Sequence, residues 1–279
     1  MGGKMKSKLT LIILFIIVLS LTKKVQASFT VAPMRFEFQI EEDQSSTGSM
    51  IIRNNSKDTL AVKIYIKDYM RRSDGSEAEL EPGTVSRSCS QWLSISPMNI
   101  ELEPGETKEA RISMSVPLDA EGTYWSMVYV EQFSKPTPRG GEIKGYSFNI
   151  DVYPRWGIRI LESVSGTEKI EGQIANLLIN NEDESKQMVA EIGFENTGNV
   201  ILKCEGYLDI RDVTGETIEK IEFENFSTYP ENTRIIKTEI PQTLKPGEYS
   251  ALAVIDYGGD YLVAGEAFFE ISSDTSSEE

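Results

Sequence analysis

Beyond residue 27 the chain alternates, and no other feature limits its fold so sharply. "TVAPMRFEFQI" (30–40), "SMIIRN" (49–54), "TLAVKIYIKDYM" (59–70), "ARISMSV" (110–116), "TYWSMVYVEQF" (123–133) and "YSFNIDVY" (146–153) place apolar and polar residues in turn. Successive side chains of an extended strand point to opposite faces, so each run reads as a strand with one apolar face. Helical periodicity is nearly absent, and Gly, Asn, Pro and Asp divide the runs. Short strands at this spacing, with turn residues between them, predict a β-sandwich. Hydrophobic content of 39% and aromatic content of 9% suffice for a packed core.

The plan occurs twice. "RNNSKDTLAVKIYIKD" (53–68) corresponds to "ENTGNVILKCEGYLDIRD" (195–212): a strand end, an Asn-rich turn, then an alternating strand. "SDGSE" (73–77) and "VTGET" (213–217) supply the next turn, where glycine accepts positive φ. "AEGTYWSMVYVE" (120–131) corresponds to "KPGEYSALAVID" (245–256). The fold class expected is therefore all-β, with two tandem immunoglobulin-like β-sandwich domains. Proline and glycine break the alternation near Pro154–Gly157, which puts the domains at 28–155 and 156–272. "VIDYGGDYLVAGE" (254–266) reads as a hairpin, and residues 273–279 as a disordered acidic tail.

Residues 1–27 stand outside this plan. Lys4, Lys6 and Lys8 precede the uncharged apolar run "LTLIILFIIVLSL" (9–21), and "TKKVQA" then ends with Val25 and Ala27 at −3 and −1 of a cleavage site. Together they read as a secretory signal peptide. The run is shorter than the roughly 20 residues that span a bilayer, so membrane contact is expected only through this segment, if it stays uncleaved. The expected location is the periplasm or another extracytoplasmic part of the cell envelope.

Residues 1–27 hold five lysines and no acid, so without them the net charge goes from −16 to −21. Such a chain repels phosphate backbones, which sets nucleic acid aside. The absence of histidine excludes His-based triads and His-ligated metal sites. Cys89 and Cys204 fall one in each expected domain and read as two separate thiols. No CxxC, HExxH, GxSxG or phosphate-loop pattern occurs. The acidic runs at 41–46, 77–81 and 180–186 lack EF-hand spacing and read as solvated loops. Trp92, Trp125 and Trp156 read as core or interface anchors. No catalytic residue, cofactor or metal is expected, and the chain reads as a binding protein, not an enzyme.

Residues 29–156 resemble the PapD-like family of periplasmic pilus-assembly chaperones. The resemblance rests on "FTVAPMRFEF", on "IIRNNSKDTLAVKIYI", on "WLSISPMNIELEPGETKEARISMSVP" (92–117) with its "LEPGE" turn, and on "YWSMVYVEQFSKPTPRGG" leading into "YSFNIDVYPR". It implies a chaperone that lends its last strand to an incomplete pilin subunit, by β-augmentation at an unpaired edge. Tyr146, Phe148, Ile150 and Val152 would then face the partner. Equally, that apolar face would cover the domain's own core. The long polar loop "SKPTPRGGEIKG" (134–145) favours the partner-facing reading. The resemblance also implies two cleft cations for the subunit's terminal carboxylate, a task suited to a guanidinium. Arg35 matches the first. The second is a lysine in the family, and this strand has none; its nearest cation is Arg155. The partners implied are protein subunits of a pilus or surface assembly. The alternative is a structural or adhesive envelope protein that uses the same domains to bind cell-wall polymer or other surface proteins.

Overall fold

The structure, a computed structural model, describes residues 27–133, 137–143, 146–181 and 187–272, with the backbone alone described for 137–143, 146–150 and Asn181. The expected signal peptide, apart from Ala27, and the expected acidic tail lie outside the described residues. Among the described residues no helix is long and apolar enough to cross a membrane.

The chain is all-β. Alternation becomes strands β1 (Phe29–Ala32), β2 (Arg35–Ile40), β3 (Ser45–Asn54), β4 (Leu60–Arg71), β5 (Glu77–Leu80), β6 (Leu93–Ser96), β7 (Asn99–Leu102), β8 (Thr107–Ser115) and β9 (Gly122–Gln132). After β10 (Thr137–Ile143) and β11 (Tyr146–Val152) comes β12 (Arg155–Val164). One sheet runs β1-β3-β8-β6 and the facing one β2-β12-β9-β4-β5, with β7 also on β4. Their inner faces bury Phe29, Met50, Ile52, Ile64, Leu102, Ile112, Met114, Ile158 and Ile160. The N-terminal segment changes sheets between β1 and β2, across the cis Ala32–Pro33 bond.

The second sandwich repeats this order with β13 (Gly172–Asn181), β14 (Met188–Asn196), β15 (Leu202–Asp212), β16 (Thr217–Glu222), β17 (Phe226–Thr228), β18 (Thr233–Glu239), β19 (Gly247–Asp256) and β20 (Val263–Ile271). Its sheets run β13-β14-β18 and β16-β15-β19-β20, with β17 on β15. The expected hairpin at 254–266 is β19 and β20, which pair up to Ile255–Val263. The two Asn-rich turns match atom for atom. Asn54 Nδ2 donates to the Asp58 carbonyl (2.8 Å) while its Oδ1 accepts from Ser56 N–H (2.8 Å). Asn196 Nδ2 donates to the Val200 carbonyl (2.7 Å) while its Oδ1 accepts from Gly198 N–H (3.0 Å). Each amide also reaches a third strand, at Leu102 (3.0 Å) and Thr228 (3.0 Å) respectively. Cys89 and Cys204 are separate buried thiols, one per sandwich.

The expected boundary at 155/156 falls inside a hydrogen-bonded strand. β12 pairs with β9 from Arg155–Glu131 to Val164–Gly122, and with β2 in parallel from Arg159–Arg35 to Val164–Ile40. The first sandwich thus extends through Val164. Pro154 lies between β11 and β12, and its carbonyl accepts from Gln132 N–H at 3.1 Å.

The outer face of β12 and β9 is covered where the second sandwich abuts it. Tyr229 inserts against Tyr69, Trp125, Met127 and Leu161. Its ring meets Trp125 edge-on at 4.8 Å between centroids, and its hydroxyl lies 2.9 Å from that of Tyr69. Gly122 approaches Asn199 so closely that a Cβ there would lie 2.2 Å from the Asn199 carbonyl oxygen. Only a glycine fits, which allows Thr123 N–H to donate to that carbonyl at 2.8 Å.

β12 carries one polar group inward. Glu162 is fully buried; Ile40 N–H donates to its Oε1 (3.0 Å), and its Oε2 has no partner. Burial pushes its carboxyl up to about 7, against the opposing Ile40 hydrogen bond. An acid with a raised folded pKa costs nothing below its unfolded value near 4.5, and its cost grows as pH climbs from there to 7. Glu162→Gln should therefore be close to neutral at pH 4 and stabilise by about 2 kcal/mol at pH 8. The shift itself is worth nearer ~3 kcal/mol, reduced because the new amide N–H₂ also needs an acceptor. Denaturant unfolding across that range checks it; equal stability of the two proteins at pH 8 refutes it.

Candidate partner-binding site

The strand singled out by its alternation, β11, belongs to neither sandwich. It pairs with β10 from Ile143–Tyr146 to Thr137–Val152, and the two form a separate two-stranded sheet. Because β9 leads into β10 and β11 into β12, this ribbon continues the β9–β12 hairpin beyond the sheet. A strand in a two-stranded sheet pairs along one side only. The other side of β11 meets no strand among the described residues, and its N–H and C=O groups there are available to an added strand. Of the four residues expected to face a partner, the side chains of Tyr146, Phe148 and Ile150 lie outside the described residues. Val152 is half-buried, and Tyr153, on the opposite face, is exposed.

The two expected cations do not meet. In the parallel β2–β12 pair Arg35 lies opposite Arg159, not Arg155. Arg155 is four residues earlier on the same face, about 13 Å along the strand. Arg35 is half-exposed and pairs with Glu37 of its own strand at 2.5 Å. Arg159 is the candidate that sequence reasoning misses, since residues from 156 onward are read there as the second domain. Its signal was the i, i+4 spacing from Arg155, which puts both on one face of an uninterrupted strand.

Around these arginines the outer face of the larger sheet carries ion pairs and aromatic rings. Across it run the rows Arg35–Arg159–Met127–Lys67 and Gly157–Tyr129–Tyr65. The Arg155 guanidinium lies 4.3 Å from the centre of the Tyr129 ring. Glycine at 157 leaves this floor open, since a Cβ there would come within 3.1 Å of that ring. Both β12 arginines are held by acids of β5, in the acidic run expected to be a solvated loop. Arg159 Nη2 meets Glu77 Oε1 at 2.8 Å, and Arg71 Nη2 shares that oxygen at 3.2 Å. Arg155 Nη2 meets Glu79 Oε2 at 2.9 Å. Burial and the Glu79 hydrogen bond push the Tyr129 hydroxyl up to about 12, so it is neutral at physiological pH. Arg159 Nε is buried without an acceptor. The face can thus offer guanidinium donors to a carboxylate that displaces Glu77 or Glu79.

No family model matches the chain, and no curated protein matches it. Solved structures do. The class 5 fimbriae chaperone CfaA is 16% identical, with 85% of this chain and 98% of that one covered and a TM-score of 0.47. A chaperone–tip adhesin complex of CFA/I fimbriae biogenesis is 15% identical, with 88% and 100% covered and a TM-score of 0.48. The CsuC–CsuE chaperone–tip adhesion subunit pre-assembly complex of Acinetobacter baumannii is 14% identical, with 86% and 98% covered and a TM-score of 0.43. By their own names these three are a fimbriae chaperone and two chaperone–subunit complexes of fimbriae or pili; the chain is also similar to PapD-like domain 7 of human CEP192, with 13% identity and a TM-score of 0.33.

Proposed function

We propose that this chain is an exported PapD-like chaperone that holds a protein subunit of a pilus or surface assembly by strand addition along β11. The observation that carries the reading is the β10–β11 ribbon, which stands apart from both sandwiches and leaves one edge of β11 for a partner's backbone. Main-chain hydrogen bonds would supply affinity, and the alternate side chains Tyr146, Phe148, Ile150 and Val152 would supply specificity by filling pockets on the subunit. Arg35 and Arg159, side by side in register, are suited to the subunit's terminal carboxylate, with Arg155 further along the same face. The protein acts in the extracytoplasmic envelope, by binding and not by catalysis.

The test is capture from the native envelope, with the mature protein beside its Ile150→Asp variant. The wild type should retain a subunit whose own immunoglobulin-like fold lacks a strand. A charge placed on the donated face should cut recovery at least about tenfold, the equivalent of ~1.4 kcal/mol. Equal recovery by both proteins, or no subunit recovered by either, sinks the strand-addition reading. Sedimentation with purified peptidoglycan would then point to the cell-wall alternative.

A further inference from the structure

Away from the β10–β11 ribbon, the end of β4 and the open side of the second sandwich enclose a cleft of about 560 Å³. Arg71, Lys203 and Arg234 line it together with Glu205, Asp256 and Phe226. Of the three cations only Arg71 has a carboxylate at ion-pair distance among the described residues, and it shares that one with Arg159. Arg234 Nη1 donates to the Ser73 carbonyl at 2.8 Å, and its guanidinium rests on Gly75. Arg71 Nη1 donates to the Gly75 carbonyl at 2.7 Å, and its only acid, Glu77, is shared with Arg159. Backbone carbonyls fix both guanidiniums in place, and a carbonyl cancels no charge. No carboxylate among the described residues lies at ion-pair distance from Arg234 or Lys203, in a chain of net charge −16. Asp74, in the neighbouring turn, spends a carboxylate oxygen on Ser76 N–H (2.8 Å). Arg71 Nε is buried with no acceptor at all. Burial, and then the charge of Arg71, pull the Arg234 pKa down, and the charge of Asp74 in the neighbouring turn offsets this only in part.

We propose that this cleft is a binding site for a small organic carboxylate, held by Arg71, Arg234 and Lys203. One oxyanion accepts from the two guanidiniums and the ammonium and relieves their mutual repulsion. A phosphate fits less well. Glu205 and Asp256 are direct partners across β15 and β19, so two negative charges face a ligand that would bring two more. A singly charged carboxylate escapes most of that repulsion, and the Phe226 ring offers contact to its organic body. This site shares no residue with the face proposed for subunit capture except Arg71's contact to Glu77.

The probe is N-acetylglycine, with inorganic phosphate as the competing arm, titrated at constant ionic strength into the mature protein while the arginine Nε–H resonances are followed. The resonances of Arg71 and Arg234 should shift saturably. That of Arg211, paired with Asp209 at 2.6 Å elsewhere on the second sandwich, should not. Arg234→Gln and Lys203→Gln should each raise the dissociation constant at least about tenfold. Lys203→Gln keeps the test usable if Arg234→Gln disturbs the domain joint, since no described residue bonds to the Lys203 side chain. A lack of saturable shift with either probe overturns the site, as does unchanged affinity in Lys203→Gln. Tighter binding of phosphate than of N-acetylglycine overturns the carboxylate assignment.

Discussion

Asn54→Ala should lower the unfolding free energy of the first sandwich by about 4 kcal/mol. The side chain is fully buried and ties three places together. Its Nδ2 serves the carbonyls of Asp58 (2.8 Å), Leu102 (3.0 Å) and Glu103 (3.1 Å). Its Oδ1 accepts from both Ser56 N–H (2.8 Å) and Ser56 Oγ (2.7 Å). Alanine leaves several of these groups without a partner in a site water reaches poorly, and each buried orphan costs roughly 1–3 kcal/mol. Asn54→Asp should be at least as damaging, because a carboxylate would face carbonyl oxygens and donate nothing. Asn196→Ala should act in the same way on the second sandwich and spare the first. Urea unfolding followed by a probe in each domain reads these losses. A loss below about 1 kcal/mol for Asn54→Ala would mean the turn is not braced by this residue.

Tyr229→Ala is expected to loosen the two sandwiches, at a cost of about 3 kcal/mol. Tyr229 is the buried residue that the second sandwich adds to a cluster of the first, with Ile201 packed beside it. Its removal leaves a gap beside Trp125 and strips the buried Tyr69 hydroxyl of its 2.9 Å partner. Burial already drives the Tyr69 pKa far up, so that hydroxyl cannot escape by ionising. Tyr229→Phe keeps the ring and should cost only ~1 kcal/mol, the share of the hydroxyl pair. Interdomain order, read from how far the two domains tumble independently in NMR relaxation, should fall in Tyr229→Ala and hold in Tyr229→Phe. Equal tumbling in all three proteins would show that the polar contacts across the joint, among them Thr123 N–H to Asn199, Ile235 N–H to Ser73 and Arg87 to Glu231, set it without the Tyr229 ring.

The all-β class, the repeated order and the paired Asn turns were legible because each rests on local pattern. Period-two alternation marks a strand with one wet face, and most strands here have one. β12 does not. Its inner face meets the first core through Ile158 and Ile160, while Leu161 on the other face meets Tyr229 of the second sandwich. A strand buried on both sides loses the alternation that identifies it. Trp156 through Val164 therefore give no clear strand signal, the domain edge is placed at 155/156 beside the proline that separates β11 from β12, and Arg159 falls to the second domain. The partnership of Arg35 with Arg159 was hidden for a further reason, since a parallel register between distant segments leaves no trace in either one. Glu77 and Glu79 were read as solvated for want of the same information. Their strand is short and their arginine partners lie far along the chain.

The parallel ladder between β2 and β12 also sets an order of events. It joins Arg35–Ile40 to Arg159–Val164, so a chain made from its N-terminus carries the first segment unpaired until the last has arrived. Loop closure over such a separation is slow compared with hairpin formation. β3, β8, β4 and β9 can pair while β2 waits at the sheet's margin, its apolar Phe36 and Phe38 without their final cover. The first sandwich is therefore sealed by its two ends meeting, and a nascent chain stopped short of Val164 would present an unfinished sheet edge to anything that recognises one.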